Sequence, residues 1–159
     1  GDWQSVAINI IKDVDPDSYV VCPYRYPPDH PTAWFAVKSD VGLPTHQIEF
    51  ESQTLWERFY LDLASKYGCV IFWLPVEDIY NPRPKESGPY ARDTLGELGR
   101  WSVRSAIQGA KVVVGADSRF NGLSVIQKNF DGDHGREFQI HRFLNETITA
   151  GIALAKRAI

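Results

Sequence analysis

The residue types best suited to chemistry lie in one acidic segment near the middle of the chain, residues 93–102 with the sequence DTLGELGRWS. Thr94 followed three residues later by Glu97 fits a capping box, in which both side chains bond backbone N–H groups at the start of a helix. A cap does not explain Gly96 and Gly99, because glycine costs about 1 kcal/mol relative to alanine inside a helix. These glycines indicate the close approach of a ligand or of another backbone. Glu97 therefore has both a structural and a chemical interpretation.

The chemical interpretation of Glu97 is nucleophilic attack on a sugar. A carboxylate near a helix N-terminus feels the helix dipole, which favours the ionised form that a nucleophile needs. Such a group can attack an anomeric carbon and form a covalent glycosyl intermediate. A general acid must then lie within hydrogen-bond reach of the leaving group, and the candidates are Asp93, Asp78 and Glu77, with Asp93 preferred because it is nearest. For each, the alternative is a solvated loop carboxylate or a helix cap. Thr94 is a candidate substrate contact.

Aromatic and charged residues elsewhere in the chain are candidates for binding a flat ring or a phosphate. Trp3, Trp56 and Trp73 can stack on a base, and the alternative for each is core packing, since tryptophan buries a large area. Glu57 shares a predicted helix with Trp56, and its alternative is a solvated helix face. Arg25 follows a predicted strand end and can pair with a sugar phosphate, although a surface arginine is the commoner case.

Apolar periodicity divides the chain into alternating helices and strands. Spacings of three and four predict helices, and short apolar runs predict strands buried on both faces. The predicted helices cover Trp3–Ile11, Gln47–Lys66, Asp93 or Thr94 to Ile107, and Arg136–Ala158; the predicted strands cover Tyr19–Cys22, Cys69–Leu74, Lys111–Gly115 and, as a short last strand, Leu123–Ile126. This alternation predicts a doubly wound parallel sheet with right-handed crossovers. Ligands bind at the carboxyl ends of such strands, where the loop 76–91 leads into the Glu97 segment.

Composition favours a single globular domain, residues 1–159, that binds a small molecule. Hydrophobic residues make up 43% of the chain and charged residues 23%, values typical of soluble domains. A net charge of -3 without a basic block argues against a nucleic-acid polymer as partner. No apolar run approaches the roughly 18 residues of a membrane span, and no secretory signal is recognisable, so we expect no membrane partner and a cytoplasmic location.

Metal and disulfide chemistry are not expected. The four histidines are scattered without ligand spacing, so we expect no metal site. Cys22 and Cys69 lie in apolar segments, where unpaired buried thiols are expected. Glycine-rich phosphate-binding fingerprints are absent as well, which argues against a dinucleotide or a nucleoside triphosphate as cofactor.

Five segments resemble, in order, those of the nucleoside 2-deoxyribosyltransferase-like family. They are GDWQSVAI at the start, QTLWERFYL at 53–61, VIFWLP at 70–75, DTLGELGRWS at 93–102 and KVVVGADSRF at 111–120. The resemblance covers most of the chain, and the ELG segment after a strand ending in FWLP is its most specific part. It implies a flavodoxin-like, doubly wound parallel sheet of about five strands flanked by helices, with no metal or organic cofactor.

The same resemblance implies an activity. It assigns the nucleophile to Glu97 and implies cleavage of the N-glycosidic bond of a (deoxy)nucleoside or nucleotide, with the sugar passed to a second base or to water. It also implies a homo-oligomer; the apolar stripe of the last helix, with Ile148, Ile152 and Ala155, either serves that contact or packs on its own sheet. The alternative is a non-catalytic nucleotide-binding or sensory domain on the same fold.

Two departures from the family pattern support that alternative. The family's opening strand and its glycine-containing loop would fall before the first residue of this sequence, so we expect the first strand to be missing. Tyr67 and Gly68 stand where the family often has an aspartate, which removes the usual acid partner. A further possibility is an incomplete domain to which a partner chain supplies the absent strand.

Overall fold

The computed structural model describes residues 3–22, 53–80, 82, 85–87 and 90–157 of the 159-residue chain. The elements in chain order are α1 (Trp3–Val14), α2 (Gln53–Tyr67), β1 (Val70–Leu74), a short 3-10 helix (Lys85–Ser87), α3 (Arg92–Gln108), β2 (Val112–Ala116), α4 (Leu123–His134), β3 (Ile140–His141) and α5 (Leu144–Ala155). From β1 onward, a helix lies between each strand and the next. Such helical crossovers are what parallel pairing of consecutive strands requires.

The strands form a parallel sheet in the order β1, β2, β3. Val70 lies opposite Val112, and β3 joins the other edge of β2 with Ile140 opposite Val114. The fold is therefore mixed α/β, with a three-stranded parallel sheet flanked by helices. Over the described residues the sheet has fewer strands than the five or so expected from the sequence.

Helices cover both faces of the sheet, which explains why the strands are continuous apolar runs. On one face, Phe72 and Val114 pack with Trp101 of α3 and with residues of α2 and α4. On the other face, α1 and α5 pack together through a cluster that includes Ile148 and Ile152. These two side chains of the last helix therefore pack within their own chain.

The predicted strand at Tyr19–Cys22 is wrong, because these half-buried residues form no strand in the structure. Their composition suits a strand, and Val20 packs beside the α1–α5 cluster. A β-strand needs a neighbour to satisfy its backbone groups, however, and no described strand pairs with this segment. The segment is therefore an apolar connection after α1.

The predictions after β2 are also partly wrong. Leu123–Ile126 begins α4 instead of forming a strand, since Ile126 and Phe130 are buried one helical turn apart. The predicted final helix, Arg136–Ala158, is a helix only over α5. The residues before α5 include the two-residue strand β3, which completes the edge of the sheet.

The helices near the predicted site begin close to their expected positions. Helix α3 starts at Arg92, one or two residues before the predicted start, and Gly109 ends it in a left-handed conformation. Helix α2 ends at Tyr67, and its predicted first residues, 47–52, lie outside the described residues.

Candidate functional site

The start of α3 is tied to the carboxyl end of β1 by one hydrogen bond. The Tyr90 hydroxyl donates to the carbonyl oxygen of Pro75 over 3.0 Å. Ala91 follows in a left-handed conformation with φ of 58°, which is uncommon for a residue other than glycine. The helix begins at the next residue, so the Glu97 segment leaves from the edge of the sheet where parallel folds bind their ligands.

The predicted capping box does not form. Ala91 is the N-cap of α3, and no side chain bonds the cap. Thr94 is the third residue of the helix and Glu97 the sixth, so neither stands where a capping box would need it. The capping-box interpretation of Glu97 is therefore wrong, and Glu97 is an exposed residue in the second turn of α3.

The Glu97 carboxylate lies in an environment that disfavours its charge. Partial burial raises its pKa, the negative charges of Glu57 and Asp93 raise it further, and the positive charge of Arg100 opposes them. No hydrogen bond from the described residues stabilises the charged form. The expectation that the helix dipole lowers this pKa is wrong in direction, because the dipole acts mainly within the first turn and Glu97 lies in the second.

The negative charge of Glu57 on α2 reaches Glu97 on α3. Further along both helices, the Arg104 guanidinium pairs with Asp62 of α2. That guanidinium also lies over the ring of Trp101, 4.3 Å from its centroid, and Trp101 is fully buried. The ion pair, with the buried indole beside it, connects α3 to α2 on this face of the sheet.

The predicted acids Asp93 and Asp78 are exposed. The Asp93 side chain is 83% exposed and has only a distant partner, the Arg92 Nε at 3.7 Å. Asp78 accepts the backbone N–H of Tyr80 at 2.9 Å, which is an ordinary loop contact for aspartate. For both residues the structure fits the alternative of a solvated carboxylate better than that of a general acid, although the charge of Asp93 does reach Glu97.

The predicted aromatic residues do not form one wall. Trp56 is half-buried on α2, 5.0 Å from the Tyr60 ring, on the same face of the sheet as α3. Trp3 packs beside the α1–α5 cluster on the opposite face. Trp73 alternates with the inward-facing Phe72 and therefore points toward that opposite face as well. Of these three tryptophans, Trp56 alone lies on the same face of the sheet as Glu97. Arg25 lies outside the described residues.

Sequence reasoning missed two residues at the carboxyl edge of the sheet. One is Tyr90, whose pKa is raised by burial and then by the charge of Glu77. The other is Asp117, which follows β2 and accepts hydrogen bonds from the Arg119 guanidinium at 3.0 Å, so that its pKa falls to about 2. The rule that ligands bind at strand carboxyl ends could have pointed to Asp117, because it directly follows an apolar run.

A shallow cavity of about 510 Å³ lies away from these residues, between β3 and α5. His141, Asn145 and Thr149 are among its lining residues. None of the predicted catalytic or substrate-binding residues lines it, so this cavity is separate from the Glu97 neighbourhood.

Other chemistries find little support in the described part of the chain. Nowhere among these residues do three histidine, cysteine or acidic side chains gather as they would around a metal ion. None of the described helices is both long and apolar enough to cross a membrane. Neither Cys22 nor Cys69 forms a disulfide, as expected. Burial raises the pKa of the Cys69 thiol to about 12, so this thiol is not a nucleophile near neutral pH.

Comparison with known proteins does not identify the chain. No model of a known protein family, no curated protein and no solved structure matches it.

Proposed function

We propose that this protein is an enzyme that cleaves or transfers the N-glycosidic bond of a (deoxy)nucleoside or nucleotide, with Glu97 as nucleophile. The observation that carries the proposal is the position of the Glu97 carboxylate. Its side chain is exposed, yet desolvation and the negative charge of Glu57 raise its pKa, no hydrogen bond from the described residues stabilises it, and it lies on the helix that follows the carboxyl end of β1. A carboxylate with a perturbed pKa and no structural role at this edge is a candidate catalytic group.

The raised pKa of Glu97 suits a nucleophile that works while ionised. A carboxylate whose charge is poorly stabilised gains more by forming a bond to an electrophilic carbon. In the first step, a Glu97 oxygen bonds to C1′ of the sugar while the bond from C1′ to the base nitrogen breaks. The bonding electrons go to the base, which takes up a proton from a general acid. Water or a second base then attacks C1′, gives up a proton to the conjugate base of the general acid, and releases the Glu97 carboxylate.

The general acid in this proposal is a carboxyl group close to Glu97. Glu57 on α2 and Asp93 on α3 are the two acidic residues whose charges reach it. Glu57 is half-buried whereas Asp93 is exposed, and a half-buried acid is better placed to meet a bound base. We therefore favour Glu57 as the acid, in place of the Asp93 and Asp78 expected from sequence, and the reactive state is the one in which Glu57 holds the proton and Glu97 is ionised.

The resemblance to the nucleoside 2-deoxyribosyltransferase-like family supports the same proposal. Of its five segments, the one at 70–75 contains β1, the one at 93–102 lies in the first part of α3, and the one at 111–120 contains β2. The finer features that it implies belong to the proposal too: a flavodoxin-like sheet of about five strands, a homo-oligomer, a small-molecule nucleoside or nucleotide as partner, and a cytoplasmic location. The chemistry requires neither a metal nor an organic cofactor.

Base release is the direct test of this function. The protein is incubated with deoxynucleosides, ribonucleosides and their 5′-phosphates, with and without an acceptor base, and free base and new nucleoside are measured by chromatography. Glu97→Gln should lower the rate by about a hundredfold or more, since it removes the nucleophile. Glu137→Gln, a change at an exposed glutamate outside the helices, is the matched control and should retain full activity.

Covalent trapping separates the nucleophile from other roles of Glu97. During turnover, intact-protein mass spectrometry should detect the protein with one added sugar, and peptide mapping should place that sugar on Glu97. Base release without any sugar adduct, or an adduct on another residue, would contradict the proposed role.

A non-catalytic nucleotide-binding domain is the second candidate function. The observation that favours it is that Tyr67 and Gly68 stand where the resembled family often has an aspartate, which removes the usual acid partner. If nucleotides raise the melting temperature, no base is released, and Glu97→Ala binds as tightly as the unmodified chain, this second candidate replaces the first.

A further inference from the structure

Tyr90 ties the start of α3 to the core and to the end of β1. Its ring packs against the core on the face of the sheet that carries α3, 6.2 Å from the ring of the buried Phe120. Its hydroxyl donates to the Pro75 carbonyl at 3.0 Å, just past the carboxyl end of β1. Burial and the negative charge of Glu77 raise the pKa of Tyr90, so the hydroxyl keeps its proton and remains a donor at neutral pH.

The stretch from Arg92 to Glu97 has few other restraints within the described part of the chain. Its six residues are exposed or half-buried, and Leu98 is the first buried side chain of α3. No side chain of the described residues caps the helix at Ala91, although the first N–H groups of a helix need such partners. Gly96 also lies in this stretch, and glycine is a poor helix former. Residues 92–97 therefore run between two anchors, Tyr90 before them and Leu98 after them.

The backbone of Ala91 indicates that its surroundings impose this helix start. Its φ of 58° lies in the left-handed region, which a residue with a Cβ adopts only where neighbouring contacts hold it there. Ala91 packs against the same core cluster as Tyr90, and its carbonyl accepts a hydrogen bond from the Leu95 N–H at 2.8 Å. The contacts around Tyr90 and Ala91 therefore set the direction in which α3 leaves the sheet.

We propose that Tyr90 is a positioning residue, whose hydroxyl bond to Pro75 holds residues 92–97 in the helix and so fixes the place of Glu97. Tyr90 acts through α3 and does not need to touch a substrate. The effect on the rate of base release rests on the proposed function, whereas the effect on α3 can be measured without any turnover.

The order of the first turns of α3 is the most direct measurement. Tyr90→Phe removes the hydroxyl and keeps the ring, so it breaks one hydrogen bond and leaves the core packing in place. Amide hydrogen exchange of residues 95–97 should become about fivefold faster or more, as expected for one lost hydrogen bond. Exchange at residues 101–107 should stay unchanged, because the buried Trp101 anchors that part of the helix.

Tyr80→Phe is the matched control. Tyr80 lies on the segment that leads from β1 to α3, and 87% of its surface is exposed. This change removes the same hydroxyl group from the same residue type, and it should alter neither hydrogen exchange nor activity.

The pKa of Glu97 is a readout that a purely structural role of Tyr90 would not move. Desolvation and the charges of Glu57 and Asp93 raise this pKa against the charge of Arg100, and these effects depend on where the helix holds the carboxylate. A ¹³C NMR titration of the carboxyl carbons, with the Glu97 signal assigned from Glu97→Gln, measures it in the folded protein. In Tyr90→Phe more water should reach the carboxylate, so the pKa should fall toward 4.5.

Base release tests the catalytic consequence. Tyr90→Phe should lower kcat by about tenfold with little change in KM, since a displaced nucleophile slows bond formation and leaves substrate binding intact. Replacement of Tyr90 by para-aminophenylalanine keeps a hydrogen-bond donor at the same place and should restore most of the rate.

The outcomes distinguish the positioning role from the proposed function. If the unmodified chain releases no base, but Tyr90→Phe speeds exchange at 95–97 and lowers the Glu97 pKa, the glycosidic function fails and the positioning role holds. If the unmodified chain releases base and Tyr90→Phe changes none of the three readouts, the positioning role is wrong and the function holds. Equally faster exchange at 101–107, or a Tyr90→Phe chain that does not fold, would also overturn the positioning role, because the bond would then support the whole fold.

Discussion

Thr147 of α5 packs directly against Gly115 of β2, so closely that a methyl group at residue 115 would lie 2.8 Å from the Thr147 Cβ. Thr147 is fully buried, and its hydroxyl donates to the Phe143 carbonyl at 2.8 Å, which fixes its position. The glycine allows α5 to approach the middle strand of the sheet. The same contact fixes the height of α5 above β2, and with it the α1–α5 layer.

Gly115→Ala should therefore destabilise the fold, by about 1–3 kcal/mol, because the new methyl group overlaps a fixed, buried side chain. Gly151→Ala is the matched comparison, since its methyl group would meet the end of the Ile71 side chain, which can rotate away. Urea unfolding should give a clearly lower midpoint for Gly115→Ala than for Gly151→Ala. Equal midpoints would mean that α5 can shift without cost.

Much of the fold could be predicted from sequence because its elements are long and strongly patterned. The apolar periods of α1 and α3 and the runs of β1 and β2 gave the correct element types. The short run Leu123–Ile126 did not, since four apolar-rich residues fit a helix turn as well as a strand. Tyr19–Cys22 has the composition of a strand, but a strand also requires a neighbour, which local sequence does not specify.

The candidate site was less predictable because it depends on how helices pack. Glu97 was identified from its own segment, but the influence of the Glu57 charge on it depends on where α2 lies relative to α3, which no local pattern encodes. The start of α3 at a left-handed Ala91 also runs against the capping preferences on which the sequence prediction relied. Residues that act through tertiary contacts, such as Tyr90, carry no recognisable signal in a single sequence.

Alanine in place of Gly96 tests why a glycine stands beside the proposed nucleophile. A methyl group there would meet no atom within 4 Å, so the protein itself does not require glycine. Gly96→Ala should stabilise the protein by about 1 kcal/mol through helix propensity. If the glycine serves the approach of a ligand, the rate of base release should fall by about tenfold, as expected when a substrate is displaced.

The control for Gly96→Ala is Val103→Ala, which changes an exposed position further along α3. It should keep full activity. Unchanged activity in Gly96→Ala as well would show that the substrate does not approach this helix turn.

Changes of charge around Glu97 should move the pH profile in opposite directions. The Glu57 charge raises the Glu97 pKa and the Arg100 charge lowers it. Glu57→Gln should therefore move the acid limb of the base-release profile to lower pH, and Arg100→Gln should move it to higher pH, because Glu97 must be ionised to react. Initial rates from pH 3.5 to 8 measure both shifts.

The maximal rate distinguishes the two roles of Glu57. If it is also the general acid, Glu57→Gln lowers the maximal rate in addition to moving the acid limb. Profiles that move in the same direction for both variants would exclude Glu97 as the group titrating in the acid limb.

Glu97→Gln should make the protein slightly more stable at neutral pH. The pKa of Glu97 in the folded protein is raised above its ordinary value of 4.5. The protonated side chain therefore contributes its full stabilisation below the pKa that Glu97 has in the unfolded chain. This stabilisation is lost as the pH rises through the pKa of the folded state. Glutamine resembles the protonated form, and since the residue is largely exposed the gain at pH 7 should be small, about 1 °C in melting temperature. The gain should shrink as the pH is lowered toward 4.5, and Glu137→Gln should show none. A lower melting temperature for Glu97→Gln at pH 7 would mean that the carboxylate stabilises α3 after all, as a helix cap would, and would remove the main physical reason for assigning it a chemical role.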